Sequence, residues 1–224
     1  MSAEVEVVRN ARARRARLSV DSATGRVRLV LPTRAPLKKA LTWAEGKAAW
    51  IAKQRARLPH ANPFAPGATF PLGDDVVTIA WDSTAPRTIK RDGDVLRCGG
   101  TLEGLSRRVT LWLKREALQV LSAETAEFAM RAGVTVTKVA IGDPRTRWGS
   151  CASSGTIRYS WRLILMPAFV RRSTVAHEVA HRVHMNHSAQ FYRVVELLDE
   201  RDPDESRRWL RANGAAIHWF GREA

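Results

Sequence analysis

The stretch Val175-Ala176-His177-Glu178-Val179-Ala180-His181 has small and apolar residues at helical spacing around two histidines. A step of four residues turns an α-helix about 40° beyond a full turn, so both imidazoles leave the same helix face. Glu178 lies about 100° further around the helix, close to the two rings but displaced from them. The pattern H-E-x-x-H on a helix therefore predicts two metal ligands with an adjacent general base.

A catalytic zinc site takes three protein ligands and keeps one open position, so a third ligand is needed. His184 would continue the same helix, but three histidines on one straight helix would span about 10 Å along the axis from His177 to His184. His187 becomes a ligand if the chain folds back, and Asn186 tolerates the left-handed conformation that ends helices. The spacing from His177 to His187 also equals that of the longer zincin pattern. His187 is the predicted third ligand, with Glu196 and His184 as alternatives.

Four motifs follow one another along the second half of the chain and are more specific together than the histidine motif alone. They are Arg147-Trp148-Gly149-Ser150-Cys151, Trp161-Arg162-Leu163-Ile164, His177 to His181, and Asn186-His187-Ser188 with Phe191. This ordered set resembles the YgjP-like metallopeptidase family, which reads W-G-S-C, N-W-R-L, H-E-L-A-H and N-H-S-x-x-F-W. The resemblance is dense over residues 145–192, and it extends distantly to the SprT-like proteases.

The resemblance implies that His177, His181 and His187 bind Zn²⁺ and that Glu178 activates the attacking water. It also implies a zincin-like fold, in which an exposed strand beside the zinc helix pairs with extended substrate. Three residues depart from the family pattern and leave these ligands and the base in place: Ser160 for Asn, Ser173 for Tyr, and Tyr192 for Trp.

Four further residues near these motifs are candidates for substrate binding. Tyr192 and Arg162 are predicted to stabilise the developing oxyanion, and Arg147 is predicted to grip an acidic group. Trp148 belongs to the same motif, although a tryptophan at this position is equally typical of a hydrophobic core.

The pattern of elements predicts an α+β protein in two parts. Residues 1–101 are expected to form an antiparallel β-rich N-terminal half, with a hairpin over 17–32, a helical stretch over 36–58, and strands at 76–81, 88–90 and 95–98. Residues 102–224 are expected to form the zincin-like catalytic domain. Its predicted elements are a long helix over 105–132 ended by Gly133, a strand over 134–141, a hairpin over 147–165, the zinc helix from Pro167, and helices over 189–198 and 204–213.

The chain of 224 residues has 37 Lys and Arg against 22 Asp and Glu, a formal net charge of +15. Such a surface attracts polyanions, so nucleic acid or a nucleotide is a possible partner beside a protein or peptide substrate. Five arginines form a cluster near the N-terminus that would either track phosphates or form a solvated strand face: Arg9, Arg12, Arg14, Arg15 and Arg17.

Two cysteines, Cys98 and Cys151, argue against a disulfide framework. The N-terminal residues have no apolar core of the kind a signal peptide needs, and no apolar run approaches the length that spans a bilayer. We therefore expect a cytoplasmic protein without a membrane segment.

Three functions are compatible with these residues. The leading one is a zinc metallopeptidase acting on unfolded or extended protein, with Glu178 as its base. A metal-dependent nucleotide hydrolase would use the same water and hold phosphates with arginines. A nucleic-acid-binding module with a structural metal is disfavoured, because a structural site needs no base.

Overall fold

The structure is a computed structural model that describes residues 5–199 and 201–223. It confirms the α+β class, with helices and three small sheets. Each sheet contains a parallel pair beside antiparallel neighbours, so the sheets are mixed rather than purely antiparallel. Contacts divide the chain into two compact units, Met1–His60 and Ala61–Ala224.

The first unit is a three-stranded sheet with two helices. Its strands are β1 (Val5–Arg9), β2 (Arg17–Val20) and β3 (Val27–Leu31), in the order β1-β3-β2. The predicted hairpin corresponds to β2 and β3, whereas β1 was not predicted and pairs parallel to β3. The predicted helix over 36–58 is two helices, α1 (Leu37–Glu45) and α2 (Ala48–Arg55), because the chain leaves the helix at Gly46 and Lys47.

A small core holds this unit together. Leu29 and Leu31 of β3 are fully buried, and they pack with Ala40 and Ala44 of α1. The alternation of buried and exposed residues along β3 gives the sheet one apolar face and one polar face, as expected for a sheet covered on one side.

The second unit begins with a four-stranded sheet of order β4-β5-β7-β6. Its buried residues belong to the same hydrophobic cluster as those of the long helix that follows, so the predicted boundary between residues 101 and 102 falls inside one continuous core. The contact-based division therefore differs from the predicted domains. The four strands are β4 (Thr69–Leu72), β5 (Asp75–Asp82), β6 (Lys90–Asp92) and β7 (Val95–Gly99).

Helix α3 (Leu105–Ala132) runs through the centre of this unit, as predicted. Leu113, Ala117 and Leu121 recur on one face and are fully buried. The helix ends at Gly133, whose φ of 65° is the left-handed conformation that a glycine adopts without steric cost.

A third sheet lies beside the helix that carries the histidines. Its strands β8 (Lys138–Gly142), β9 (Gly149–Cys151) and β10 (Thr156–Ser160) have the order β8-β10-β9, so β9 is an edge strand. Strand β8 begins later than predicted. The second strand of the hairpin predicted over 147–165 stops at Ser160. The hydroxyl of Ser160 accepts a hydrogen bond from the backbone N–H of Arg162 and caps a 3-10 helix, Trp161–Leu165.

Three helices complete the second unit: α4 (Ala168–Ala180), α5 (Ala189–Leu198) and α6 (Pro203–Ile217). The side chain of Asp202 caps α6 ahead of Pro203, which is favoured in the first helical turn. Within residues 5–199 and 201–223, no helix is both long and apolar enough to cross a bilayer.

Candidate metal centre

Helix α4 holds the first two histidines in fixed positions because its opposite face is part of the core. Val175, Ala176, Val179 and Ala180 are fully buried. These residues surround His177 in the sequence and leave only one helix face directed toward the cleft. The ring planes of His177 and His181 are nearly perpendicular, with centroids 5.0 Å apart.

The chain reverses directly after α4 and brings a third ring back. The carbonyl of Ala180 accepts hydrogen bonds from the N–H groups of Val183 and His184, which closes the last turn. No described residue other than glycine has a positive φ, so the predicted left-handed Asn186 is wrong. Ser188 then caps α5 by accepting from the N–H of Phe191, which sets His187 just before that helix.

The three predicted ligand rings meet at one point. One nitrogen from each of His177, His181 and His187 lies within 4.8 Å of the others. The Nε2 atoms of His177 and His187 are 3.2 Å apart. The fully buried ring of Phe191 packs against all three, at centroid distances of 5.0, 4.5 and 4.8 Å. Two adjacent turns of one helix and the following bend thus form a compact set of imidazoles.

The alternatives for the third ligand lie elsewhere. His184 contributes its backbone carbonyl, which is 3.2 Å from Nδ1 of His181, rather than its ring. A hydrogen bond at Nδ1 directs the Nε2 lone pair of His181 toward the other rings, as is usual for histidine ligands. Glu196 is exposed on α5 and is not part of the cluster.

The donor set fits a divalent metal of the zinc type. Burial, with His181 and His187 nearby, lowers the pKa of His177 to about 4. Burial also lowers the pKa of His181, although the carbonyl of His184 opposes this. Both rings are therefore neutral at pH 7, and neutral imidazole is the form that coordinates zinc. Together with His187 these rings would supply three ligands and leave a fourth position of a tetrahedral ion open.

Glu178 is buried beside the histidines. The residue is only 6% exposed. Burial raises its pKa to about 7, and the positive charge of Arg147 limits the rise. A carboxylate whose pKa is close to the working pH both accepts and returns a proton readily.

Gly149 of β9 is packed directly against this carboxylate. A Cβ at position 149 would lie 2.6 Å from Cγ and Oε1 of Glu178, closer than real side chains approach. A side chain at this position would therefore collide with Glu178. The glycine of the W-G-S-C motif allows the edge strand β9 to pack directly against the carboxylate.

A cleft of about 310 Å³ opens over Glu178 and His177. Arg147 and Trp148, two of the predicted substrate contacts, line this cleft, and the ring of Trp148 stacks on His218 with centroids 4.7 Å apart. Helix α6 forms a wall of the cleft that was not predicted, and it contributes Ser206, Arg207 and Leu210. Nothing in the local sequence around position 207 indicated this role, because α6 reaches the cleft only through tertiary packing.

Arg207 is the most informative of the missed residues. Its positive charge contributes to the lowered pKa of His177, which places it near the rings. Its guanidinium lies over the ring of Tyr192, 5.5 Å from the centroid, and pairs with Asp204. Tyr192, a predicted substrate contact, is itself 6.3 Å from His187 at the exposed rim.

Arg162 does not contact the cleft, contrary to the prediction. Its guanidinium is buried and forms two hydrogen bonds with Asp143, at 2.8 and 3.2 Å. It also donates to the carbonyls of Ile217 and Phe220, both at 2.9 Å. The guanidinium N–H groups of Arg162 therefore bind the end of α6 and Asp143, and they do not point toward a substrate.

One of the comparisons with known proteins identifies a family. The family described as YgjP-like, metallopeptidase domain, matches residues 14–213. A search of curated proteins found no match. Among solved structures, the crystal structure of the metallopeptidase zymogen of Pyrococcus abyssi abylysin is similar over 41% of this chain and 93% of that chain, at 18% identity and a TM-score of 0.38.

Proposed function

The chain belongs to the YgjP-like metallopeptidase family, and on this premise we propose that it is a zinc-dependent peptidase with Glu178 as its general base. In this proposal His177, His181 and His187 hold the ion. The observation that carries it is the convergence of three imidazole nitrogens within 4.8 Å, beside a buried carboxylate in a cleft.

In this proposal the zinc ion and Glu178 have separate roles in the reaction. Zinc held by the three rings would supply a Lewis acid that polarises the scissile carbonyl and makes water more acidic. The carboxylate of Glu178 takes the proton from the attacking water, and the same group then donates it to the leaving amide nitrogen. Its pKa of about 7 suits both halves of this cycle near neutral pH.

The edge strand β9 supports a peptide substrate in extended form. Trp148 accepts from the N–H of Ser160, and Ala152 donates to Thr156, so even-numbered residues of this segment bond to β10. By the alternation of an antiparallel pair, the main-chain groups of Gly149 and Cys151 face outward. Gly149 also lines the cleft, so a strand added there would pass over Glu178.

Arg147 and Arg207 give the cleft two cationic walls beside the base. In a peptidase they would stabilise the oxyanion or bind an acidic group of the substrate. The same two guanidinium groups would also hold phosphates, so nucleotide hydrolysis is a second candidate.

The decisive experiment is hydrolysis of casein and of quenched fluorescent peptides by the zinc-loaded chain and by Glu178→Gln. We expect the variant to lose about 10²- to 10⁴-fold in kcat while it retains zinc. Glu196→Gln is the matched control, because it makes the same change at an exposed carboxylate on the next helix. Wild-type turnover by Glu178→Gln would overturn the mechanism, and turnover of nucleoside triphosphates in place of peptides would favour the second candidate.

The ligand set is tested separately by zinc content. We expect His187→Ala to lose bound zinc after dialysis against a weak chelator, whereas His184→Ala keeps it because only the backbone carbonyl of residue 184 contacts the centre. Equal zinc content in the two variants would exclude His187 as a ligand.

A further inference from the structure

The positive charge of the protein is concentrated in the first unit. Residues 1–60 contain 14 Lys and Arg against 4 Asp and Glu, a net charge of +10 out of +15 for the whole chain. The remaining 164 residues therefore have a net charge of only +5. A charge density this uneven indicates a localised interaction surface rather than a generally basic composition.

Four of these 14 basic residues line one concave surface, which we name the arginine groove. The groove has a volume of about 750 Å³ and is formed by the loop between β1 and β2 together with β2, β3 and α1. Its cationic and aromatic lining residues are Arg12, Arg14, Arg15, Arg17 and Trp43.

The groove arginines are available for a ligand, unlike their neighbour. Arg9 uses its guanidinium to bind the carbonyls of Pro32, Thr33 and Ala35. In contrast, the side chains of Arg12, Arg14 and Arg15 are exposed and form no hydrogen bond or ion pair with any of the described residues.

The loop that carries these arginines is held by other groups. Oδ1 of Asn10 accepts from the N–H of Arg12, and the carbonyl of Asn10 accepts from Ala13. The arginine side chains therefore have no structural role in the turn, and removing them should leave it folded.

Trp43 adds an aromatic surface to this basic wall. It is 42% exposed although it lies on a short helix whose core positions are Ala40 and Ala44. Its exposed ring at the edge of a cationic groove provides a surface on which an unpaired base can stack.

We propose that the arginine groove binds single-stranded nucleic acid, with the arginines on successive phosphates and Trp43 stacked on a base. Arginine is well suited to phosphate because its planar guanidinium group can donate two parallel hydrogen bonds to the phosphate oxygens. The aromatic ring favours unpaired bases over a duplex, in which the base faces are already stacked. A concave groove also differs from the protruding apolar surface by which proteins enter anionic membranes. The proposal is independent of the peptidase activity.

The test is fluorescence anisotropy of a labelled 20-nucleotide oligo-dT with the full chain, titrated at several salt concentrations. We expect the triple variant R12A/R14A/R15A to weaken binding and to reduce the slope of log K against log salt by about 2, since each lost phosphate contact removes about 0.7. The matched control R107A/R115A/K138A removes the same charge from exposed positions of the second unit and should keep the wild-type slope.

Substitutions of Trp43 test the proposed base stacking independently of the charge. We expect Trp43→Ala to weaken binding by about 5- to 100-fold with an unchanged salt slope, and Trp43→Phe to restore part of the loss. Thermal melting of each variant verifies that the first unit is folded.

Two results would overturn the proposal. One is that R12A/R14A/R15A and the control R107A/R115A/K138A change the salt slope by the same amount. The other is binding of the chain to vesicles containing anionic lipid, or to poly-glutamate, with no binding of the oligonucleotide. Either result leaves the assay of Glu178→Gln unaffected, so failure here is distinguishable from failure of the proposed function.

Discussion

The contact between Gly149 and Glu178 makes the position of the base sensitive to a single methyl group. We expect Gly149→Ala to push the carboxylate aside, because a Cβ there would lie 2.6 Å from Oε1. A displacement of about 1 Å costs on the order of 10²-fold in rate, so kcat should fall by about that factor while bound zinc stays constant. The measurement is peptide hydrolysis together with zinc analysis.

The control for this change is Gly142→Ala in β8. A Cβ at position 142 would lie 3.6 Å from its nearest neighbour, an ordinary contact, and should leave the rate unchanged. If Gly149→Ala hydrolyses peptides at the wild-type rate, the placement of Glu178 tolerates more freedom than the packing indicates.

The raised pKa of Glu178 has a consequence for stability in the metal-free chain. The pKa is 4.5 in a solvated carboxyl and about 7 when Glu178 is buried here. The neutral form is favoured in the fold, so this contribution to stability is complete below pH 4.5 and is lost as the pH rises through 7. Glu178→Gln should therefore stabilise the chelated protein by about 3 kcal/mol at pH 8 and by less than about 1 kcal/mol at pH 5.

Urea unfolding at these two values of pH, in the presence of chelator, measures this difference. The lowered pKa of His177 acts in both proteins alike and cancels in the comparison. A stability gain that is the same at pH 5 and pH 8 would mean that the carboxylate is not desolvated.

At the scale of elements, Arg162 joins the 3-10 helix to the end of α6. Arg162→Ala would leave the carbonyls of Ile217 and Phe220 without their donor, and a buried acceptor left unsatisfied costs about 1–3 kcal/mol. The carboxylate of Asp143 is partly exposed to solvent, so the loss of its ion pair adds less. We expect a lowered midpoint of thermal unfolding and weaker peptide binding, because α6 forms a wall of the cleft. Arg145→Ala, at an exposed position, is the control and should melt like the wild type.

The helices were predictable because their signals are local. Residues 105–132 combine a buried stripe with a terminal glycine, and residues 189–198 follow the capping Ser188. Strand β1 was missed because it is held by a non-local parallel pairing with β3. The 3-10 helix at Trp161 was read as strand because its geometry depends on the buried Arg162, whose partners are 19 and more residues away.

The candidate centre was predictable to a similar extent. Two rings and the base follow from helical spacing alone, and His187 came from motif spacing and a resemblance to a known family. The mechanism proposed for the turn was wrong at Asn186, since hydrogen bonds to Ala180 close the helix without a left-handed residue. Arg207 had no local signal and required the packing of α6.

For the whole molecule, the division into two units predicts where zinc will act. A ligand that binds only the folded state stabilises it by mass action, and the proposed ligands all belong to Ala61–Ala224. We expect hydrogen exchange of the chelated chain to slow in α4 and α5 when zinc is added, with residues 5–60 unchanged. Mass spectrometry of peptides from the chain measures this, and His187→Ala should abolish the effect. Slowed exchange throughout residues 5–60 would contradict the prediction.

The uneven exposure of the three rings also has a kinetic consequence. His177 and His181 are anchored by a helix in the core, whereas His187 stands in an exposed turn of a few residues. An ion bound there would leave by releasing the outer ring first, so the stiffness of that turn would control the residence time of the metal. Substituting the exposed Met185 or Asn186 should therefore alter the rate of metal exchange while the ligand set stays the same.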